Sequence, residues 1–241
     1  MTNHYQELDE LMDLYQEVKQ YVLANAADFA SRNADEIIYS TPSLLLGLHT
    51  PSLLLGIGYS KAYKKGKKIK SPGDRTDYLS YEYDANGKLI RITDHGDSLK
   101  FFYCILERNG FQWAVPIYRY EDHYAAYPYY AKIAKWDDRG RVLNFAQINN
   151  AELWIEKYTY DLDDENTAVC EMWNYVPNLS HSSKDKLVSE TGSPAQLWIY
   201  RLDLKDPKKL SGELIESYKR DVSAYRRTPP CLPPPQIAYK K

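Results

Sequence analysis

Apolar residues near the amino terminus recur at steps of three and four, which is the spacing of one face of a helix. The pattern covers residues 4–31, with Glu, Asp, Lys and Gln between the apolar positions. It predicts an amphipathic helix with Asn3 as its N-cap. A second short helix is predicted to be capped by Asn33 and to reach Ile38. A third, over 209–226, is predicted by apolar residues at helical spacing: Leu210, Leu214, Ile215, Tyr218, Val222 and Tyr225.

From Tyr78 onwards the apolar period changes to two, which is typical of strands. The alternation predicts hairpins and one more strand at Gln196–Leu204. The predicted turns are at Asn86-Gly87, Asn109-Gly110, 137–140 and 163–166. Asn-Gly favours a hairpin because a type I′ turn needs positive φ at both central residues. The fold class is therefore predicted to be α+β, an antiparallel β-meander of about nine strands in hairpins, with an N-terminal and a C-terminal helix packed on it.

Composition changes along the chain and divides it into segments. They are an N-terminal helical segment, a basic connector, an antiparallel β-hairpin domain with its closing helix, and a Pro-rich tail: 1–60, 61–77, 78–226 and 227–241. The Lys-rich connector is typical of a solvated loop or a protected sheet edge. Residues 177–194 are rich in Ser, Lys and Asp, which indicates a surface loop.

A seven-residue direct repeat lies ahead of the connector. The sequence Thr-Pro-Ser-Leu-Leu-Leu-Gly occupies 41–47 and returns at 50–56. Each copy predicts one helical turn that is opened by Thr and Pro and ended by Gly. Two interpretations stay open: a docking element, or a small duplication that packs against the core. We favour the second.

Composition excludes several classes of function. The formal net charge of −2 gives no electrostatic case for nucleic acid. Three widely spaced cysteines, Cys104, Cys170 and Cys231, predict neither a disulfide framework nor a metal site, and they favour a cytoplasmic location. The most apolar segment, 44–59, is interrupted by Gly, Pro and polar residues and falls short of the roughly 18 to 20 residues of a spanning helix. No signal peptide is expected from residues 1–10.

Tyrosine is the unusual component, with 23 Tyr against 5 Phe. A Tyr ring buries apolar area while its hydroxyl reaches water or a partner. Such a chain is expected to have many half-buried faces, which suits sheets with one wet side and also suits binding surfaces.

Residues 81–94, Tyr-Glu-Tyr-Asp-Ala-Asn-Gly-Lys-Leu-Ile-Arg-Ile-Thr-Asp, resemble one unit of the YD, or RHS-type, β-hairpin repeat. Weaker echoes lie at 136–140 and 158–161. In that family many units coil into a large shell around a toxic cargo, and the few units here cannot enclose anything. The resemblance therefore implies only the hairpin geometry, in which the Asp before each turn accepts hydrogen bonds from turn amides.

Motifs of known catalytic chemistry are absent from the sequence: it has no nucleophile elbow, phosphate-binding glycine loop, zinc-protease motif or paired CxxC. The five histidines, His4, His49, His95, His123 and His181, do not stand at metal-ligand spacing, and no cofactor is predicted. His95 follows Asp94, so a base oriented by a carboxylate is conceivable, although a solvated turn histidine is the preferred interpretation. A nucleophilic pair of Cys104 and His123 has no support from spacing.

Residues 118–130 combine six tyrosines with an Arg, a His and two acids. Tyr and Arg are enriched at binding hot spots because they combine area with polar groups. The candidate binding residues are Tyr118, Arg119, Tyr120, Glu121, Asp122, His123, Tyr124, Tyr127, Tyr129 and Tyr130. The alternative is a long loop packed onto the sheet by its own rings.

The leading hypothesis is a non-catalytic cytoplasmic protein-binding module. Its most concrete version is a bacterial immunity-type protein that neutralises a cognate toxin by occupying the toxin's surface. One alternative is an enzyme of unrecognised type, such as a hydrolase, that uses His95 or His123. Another is carbohydrate or peptide binding by stacked tyrosines. The sequence predicts a protein partner, no nucleic-acid or membrane partner, and leaves the oligomeric state open.

Overall fold

The computed structural model describes the chain in eleven ranges: 4–42, 50–57, 66–96, 101–120, 123–126, 130–148, 153–162, 164–175, 196–206, 210–221 and 226–228. Antiparallel strands dominate them. The predicted loop at 177–194, the first repeat copy after residue 42 and the tail after residue 228 lie outside these ranges. The division into four segments stays a prediction. Among the described residues, no helix combines the length and the apolarity needed to cross a membrane.

Three helices are described: α1 (His4–Ala24), α2 (Ala26–Ser31) and α3 (Leu53–Gly56). The helix predicted over 4–31 is confirmed, with a break at Asn25, whose side-chain amide donates to the Tyr21 carbonyl at 2.8 Å. The proposed cap, Asn3, is outside the described residues. The helix predicted in the second repeat copy is confirmed as α3, with Ser52 as N-cap accepting from the Leu55 amide at 3.0 Å.

In the described ranges fourteen strands form one antiparallel sheet, so the predicted number of about nine was wrong. They are β1 Glu36–Ser40, β2 Lys68–Ile69, β3 Leu79–Tyr83, β4 Leu89–Asp94, β5 Phe101–Arg108, β6 Phe111–Arg119, β7 Tyr124–Ala126, β8 Ala131–Trp136, β9 Val142–Ile148, β10 Leu153–Tyr160, β11 Thr167–Tyr175, β12 Gln196–Asp203, β13 Ser211–Asp221 and β14 Arg226–Thr228. The order is β14-β13-β12-β11-β10-β9-β8-β6-β5-β4-β3-β1-β2, and β7 pairs with β6 beside this path. The sheet is open.

Two predicted helices are strands. The short helix from Asn33 to Ile38 is replaced by β1, which pairs with β3. Its Ile-Ile-Tyr core favours a strand once a neighbour is available. The helix at 209–226 is replaced by β13, which pairs with β12 along its length. The register of this pairing shifts between Leu214, which lies opposite Tyr200, and Glu216, which lies opposite Ile199, so β13 does not alternate regularly. Pairing with β12 outweighs the helical spacing of its apolar residues.

The hairpin turns follow the predicted positions but use two geometries. Asn109 and Gly110 have φ of 53° and 75°, which confirms a type I′ turn. At the first hairpin only Gly87 has positive φ, 74°, so the type I′ prediction there was wrong. The Asp84 carboxylate accepts from the amides of Asn86 and Lys88, both at 2.9 Å, as the hairpin geometry implies. The turn after β8 repeats this arrangement at Asp137.

The sheet buries both of its faces. On the helix face, side chains of β5, β6, β8 and β9 pack against Tyr15, Val18, Val22 and Phe29 of α1 and α2. On the opposite face, called the α3 face, Leu54 is fully buried among side chains of β9 to β12. A third cluster, around Tyr81 and Ile105, continues this face across β3 to β6. The two faces have very different covers, two helices on one and the short α3 on the other.

Candidate functional site

The predicted binding residues lie where β6 ends and β7 begins. Tyr118 and Arg119 close β6, Tyr120 follows, and Tyr124 opens β7. Tyr130 directly precedes β8. Glu121, Asp122, Tyr127 and Tyr129 are outside the described residues. The structure therefore tests six of the ten candidates for their position.

Two of these tyrosines, Tyr124 and Tyr130, pack against other parts of the chain. The ring of Tyr124 is half-buried and lies edge-on to Phe102, with ring centroids 6.4 Å apart. The Tyr130 amide donates to the hydroxyl of Tyr15 on α1 at 3.1 Å, and its ring lies 6.4 Å from that of Tyr103. Both residues therefore take part in packing within the chain.

Tyr120 and His123 instead form an outward stack. Their ring centroids are 4.7 Å apart and their planes differ by 10°. The Tyr120 amide donates to the His123 carbonyl at 2.9 Å, so the backbone holds the two rings together. Tyr120 is 43% exposed. The pair is a preformed aromatic surface.

A second stack of the same kind lies at the start of β3 and the end of β4. The rings of Tyr78 and His95 are 4.2 Å apart and differ by 12° in plane. The His95 amide donates to the Tyr78 carbonyl at 3.0 Å. Tyr39 of β1 lies edge-on to Tyr78, at 5.9 Å. The sequence did not single out Tyr39 or Tyr78.

Strand register places both stacks at the same end of the sheet. Leu79 pairs with Asp94, Asp94 with Phe101, and Phe101 with Tyr118. Each stack lies just beyond this row, and β4 and β6 are two strand spacings apart, roughly 10 Å. We call this end of the sheet the aromatic end: Tyr78, His95, Phe101, Tyr118, Tyr120 and His123. Phe101 packs with the third cluster on the α3 face, whereas His95 bonds to Ser80 on the helix face, so this end presents rings from both faces.

Below the Tyr78–His95 stack lies a network of polar side chains on the helix face. His95 Nε2 is 2.9 Å from Ser80 Oγ, which in turn is 3.1 Å from the Glu82 carboxylate. Glu82 is only 6% exposed and also accepts from Thr93 Oγ1 at 2.8 Å and from Arg91 Nε at 2.8 Å. Arg91 Nη1 donates to the carbonyl of Phe29 at the end of α2. The network fastens α2 to the sheet.

The direction of these hydrogen bonds bears on catalysis. Ser80 has one hydroxyl hydrogen, and a bond to Glu82 requires it because a carboxylate only accepts. His95 then donates its Nε2 hydrogen to Ser80, so it does not act as a base toward this hydroxyl. Burial lowers the pKa of His95, while the nearby charges of Glu82 and Asp94 oppose that shift. His95 is thus exposed to solvent and also hydrogen-bonded through Nε2 to Ser80, unlike a simple solvated turn histidine.

Cys104, the candidate nucleophile, lies in the core of the sheet. Cys104 is fully buried in β5, and burial raises its pKa to about 12, so it is a protonated core residue at neutral pH. Within the described ranges, no group of three His, Cys, Asp or Glu side chains is placed to hold a metal ion.

Comparison with known proteins gives no match to any family model, curated protein or solved structure. The aromatic end therefore has to be interpreted from its own geometry.

Proposed function

We propose that the protein is a non-catalytic protein-binding module and that the aromatic end is its contact surface. The observation that carries this proposal is the pair of Tyr–His stacks at the same end of the sheet, one beside β3 and β4 and the other beside β6 and β7. Each stack is held by a backbone hydrogen bond between its own two residues. Binding therefore requires little ordering of side chains, which is a major cost of association.

The chemistry of the surface suits a protein partner. Tyr combines a large apolar ring with a hydroxyl, and Arg119 adds an exposed cation beside the Tyr120 stack. The most concrete partner is a toxin domain that an immunity-type protein would occlude. The free, buried thiols of Cys104 and Cys170 support a cytoplasmic location, where cysteines stay reduced.

A hydrolase is supported by one observation, the 2.9 Å contact between Ser80 Oγ and His95 Nε2. The hydrogen of Ser80 is engaged by Glu82, and Ser80 is only 4% exposed, so this serine is poorly placed to attack a substrate. The binding module is the better supported of the two. Carbohydrate binding by ring stacking would use the same aromatic end.

The test is partner capture with tagged protein, followed by mass spectrometry and a measured Kd for the captured partner. The double variant Tyr78→Ala/Tyr120→Ala should weaken binding by about a hundredfold or more, because two hot-spot rings are lost. Its free energy of unfolding should stay within about 2 kcal/mol of the parent, since Tyr120 is exposed and Tyr78 is half-buried.

The matched control is Tyr21→Ala. Tyr21 is 42% exposed, against 43% for Tyr120, and lies beside Arg108 at the other end of β5. Its loss should leave the Kd unchanged. Equal weakening by Tyr21→Ala, or unchanged capture by the double variant, would remove the aromatic end from consideration. Competition by a soluble glycan at this surface would favour the carbohydrate alternative.

A further inference from the structure

Two ionisable side chains are buried on the α3 face. Lys132 of β8 is 2% exposed and Glu156 of β10 is 0% exposed. Among the described residues, neither forms an ion pair. Their hydrogen-bond partners are neutral. Lys132 Nζ donates to Thr50 Oγ1 at 2.7 Å. The Glu156 carboxylate accepts from Ser52 Oγ at 2.7 Å, from Trp154 Nε1 at 2.6 Å and from the Tyr158 hydroxyl.

The hydroxyls that reach these two groups come from one short segment. Thr50 and Ser52 flank Pro51, and all three residues are buried. They lead into α3, whose Leu54 is inserted in the core. The next amide, that of Leu53, donates to the Tyr158 hydroxyl at 2.9 Å. The polar attachment of this segment to the sheet thus runs through Lys132, Glu156 and a tyrosine bonded to Glu156.

We propose that residues 50–57, which we call the latch, open and close over Lys132 and Glu156, and that the protonation of these two groups makes the closed latch weakest near neutral pH. The closed latch keeps both groups out of water. Opening returns them to water, where each can carry its charge without a desolvation cost.

Lys132 determines how the stability of the closed latch changes above neutral pH. Burial lowers its pKa from 10.5 to about 7. Between these pH values the open state binds a proton that the closed state does not, so the closed state gains stability as pH rises. Below the lower value both states are protonated, and the closed latch carries the full cost of a buried ammonium.

Glu156 sets the acid side. Burial raises its pKa from 4.5 to about 7, although its three hydrogen-bond donors oppose the shift. Between these values the closed state holds a proton that the open state has lost, so the closed state loses stability as pH rises. The two dependences meet near neutral pH, where closing is least favourable.

The neighbouring titratable groups do not compete in this range. Tyr158 on β10 and Cys170 on β11 pack against Glu156, and burial raises both pKa values well above their usual range. Tyr103 on β5, whose ring centroid lies 5.8 Å from Lys132 Nζ, and Tyr130 are shifted in the same direction by burial. All four stay neutral while Lys132 and Glu156 titrate.

Hydrogen exchange at the Leu53 amide measures latch opening, after correction for the intrinsic exchange rate at each pH, because this amide donates to Tyr158 on the sheet. The Leu55 amide donates to Ser52 within the latch and shows whether α3 itself unfolds. From about pH 5 to about pH 9 the opening constant should pass through a maximum near pH 7 and fall by up to about tenfold per pH unit on either side. Amides in the β5–β6 pairing serve as the reference and should show no such maximum.

Variants assign each side of the profile. In Glu156→Gln the opening constant should no longer fall below pH 7 but should still fall above it. In Lys132→Met it should still fall below pH 7 but no longer above it. Thr50→Val keeps both ionisable groups and removes the acceptor of Lys132. It should raise the opening constant by about tenfold below pH 7, where the ammonium needs that acceptor. A flat parent profile, variants that retain both sides, or reference amides with the same maximum would each overturn the proposal.

Discussion

Glu82 and Glu156 are both buried carboxylates, but the charges of their hydrogen-bond partners differ. Glu82 lies on the face covered by α1 and α2, which we call the helix cover, and Glu156 lies on the face covered by the latch. Glu82 lies on the helix face and is neutralised by the Arg91 guanidinium. Arg91 also donates to the Phe29 carbonyl near the carboxyl end of α2, where the negative end of the helix dipole stabilises a cation. Glu156 lies on the α3 face and accepts from hydroxyls and an indole, and within the described part of the chain it has no cation as a partner. A carboxylate paired with a cation stabilises the attachment of its cover to the sheet. A carboxylate held by neutral donors makes the stability of that attachment depend on pH.

The apolar contacts of the two covers differ in the same sense. The helix cover buries Tyr15, Val18, Val22 and Phe29 almost completely. The latch buries one large apolar side chain completely, Leu54. A buried side chain of this size contributes about 1.5–3 kcal/mol, so several are needed for a cover that never opens. We therefore expect the helix cover to leave the sheet only in global unfolding.

The largest predicted effect breaks the ion pair under the helix cover. Arg91→Leu leaves Glu82 buried without a cation and releases the α2 carbonyl. Both side chains are largely shielded, with exposures of 15% for Arg91 and 8% for Glu82, so the free energy of unfolding should fall by about 3–5 kcal/mol. Urea denaturation at neutral pH measures this loss.

A second substitution separates the stranded charge from the lost packing. Adding Glu82→Gln to Arg91→Leu removes the unpaired carboxylate and should restore roughly 1–2 kcal/mol of the loss. If the single variant loses less than about 1 kcal/mol, the ion pair does not anchor α2 and the contrast between the covers fails.

Local sequence signals predict the hairpins well because their turns act over a few residues. Asn109-Gly110 permits a two-residue type I′ turn, and this alone sets the pairing of Phe101 with Tyr118. The strand assignments of β1 and β13 depend instead on partners far along the chain. The apolar residues of β13 stand at helical spacing, and only pairing with the neighbouring β12, which includes a bulge, makes this segment a strand.

The candidate site is predicted from the sequence only in part. Composition points to the Tyr120–His123 pair, because aromatic and charged residues are dense there. Tyr78 joins it only through the pairing of Asp94 with Phe101, a register between hairpins that no short motif specifies. Lys132 and Glu156 carry no sequence signal at all, since charged residues in strands are usually solvated.

A smaller effect tests the fit of the latch to the sheet. A Cβ on Gly212 of β13 would lie 2.8 Å from Ile57 Cδ1 and 2.9 Å from Leu202 Cδ2. Gly212→Ala should therefore lower the free energy of unfolding by about 1–3 kcal/mol and raise exchange at the Leu53 amide. Chemical denaturation and hydrogen exchange measure the two changes.

The rescue variant for this contact is Ile57→Val, which removes the Cδ1 atom. Gly212→Ala together with Ile57→Val should lose less stability than the sum of the two single changes, because removal of Cδ1 relieves the close contact that the new Cβ creates. Strict additivity would mean that the latch does not press against β13 at this position.

The smallest effect compares one hydroxyl donor on each buried carboxylate. Ser80→Ala removes a donor from Glu82, which keeps Arg91 and Thr93, and should cost about 0.5–1 kcal/mol. Ser52→Ala removes a donor from Glu156 and also the N-cap of α3, and should cost about 1–2 kcal/mol.

Because the Ser52 bond holds the pKa of Glu156 down, its loss raises that pKa further. The cost of Ser52→Ala should therefore be greater at about pH 8, where Glu156 is ionised, than at about pH 5. Ser80→Ala should show a smaller change over the same range, since its carboxylate retains a cation. Unfolding free energies of both variants at the two pH values check this, and equal pH dependence would mean that the two carboxylates are held alike after all.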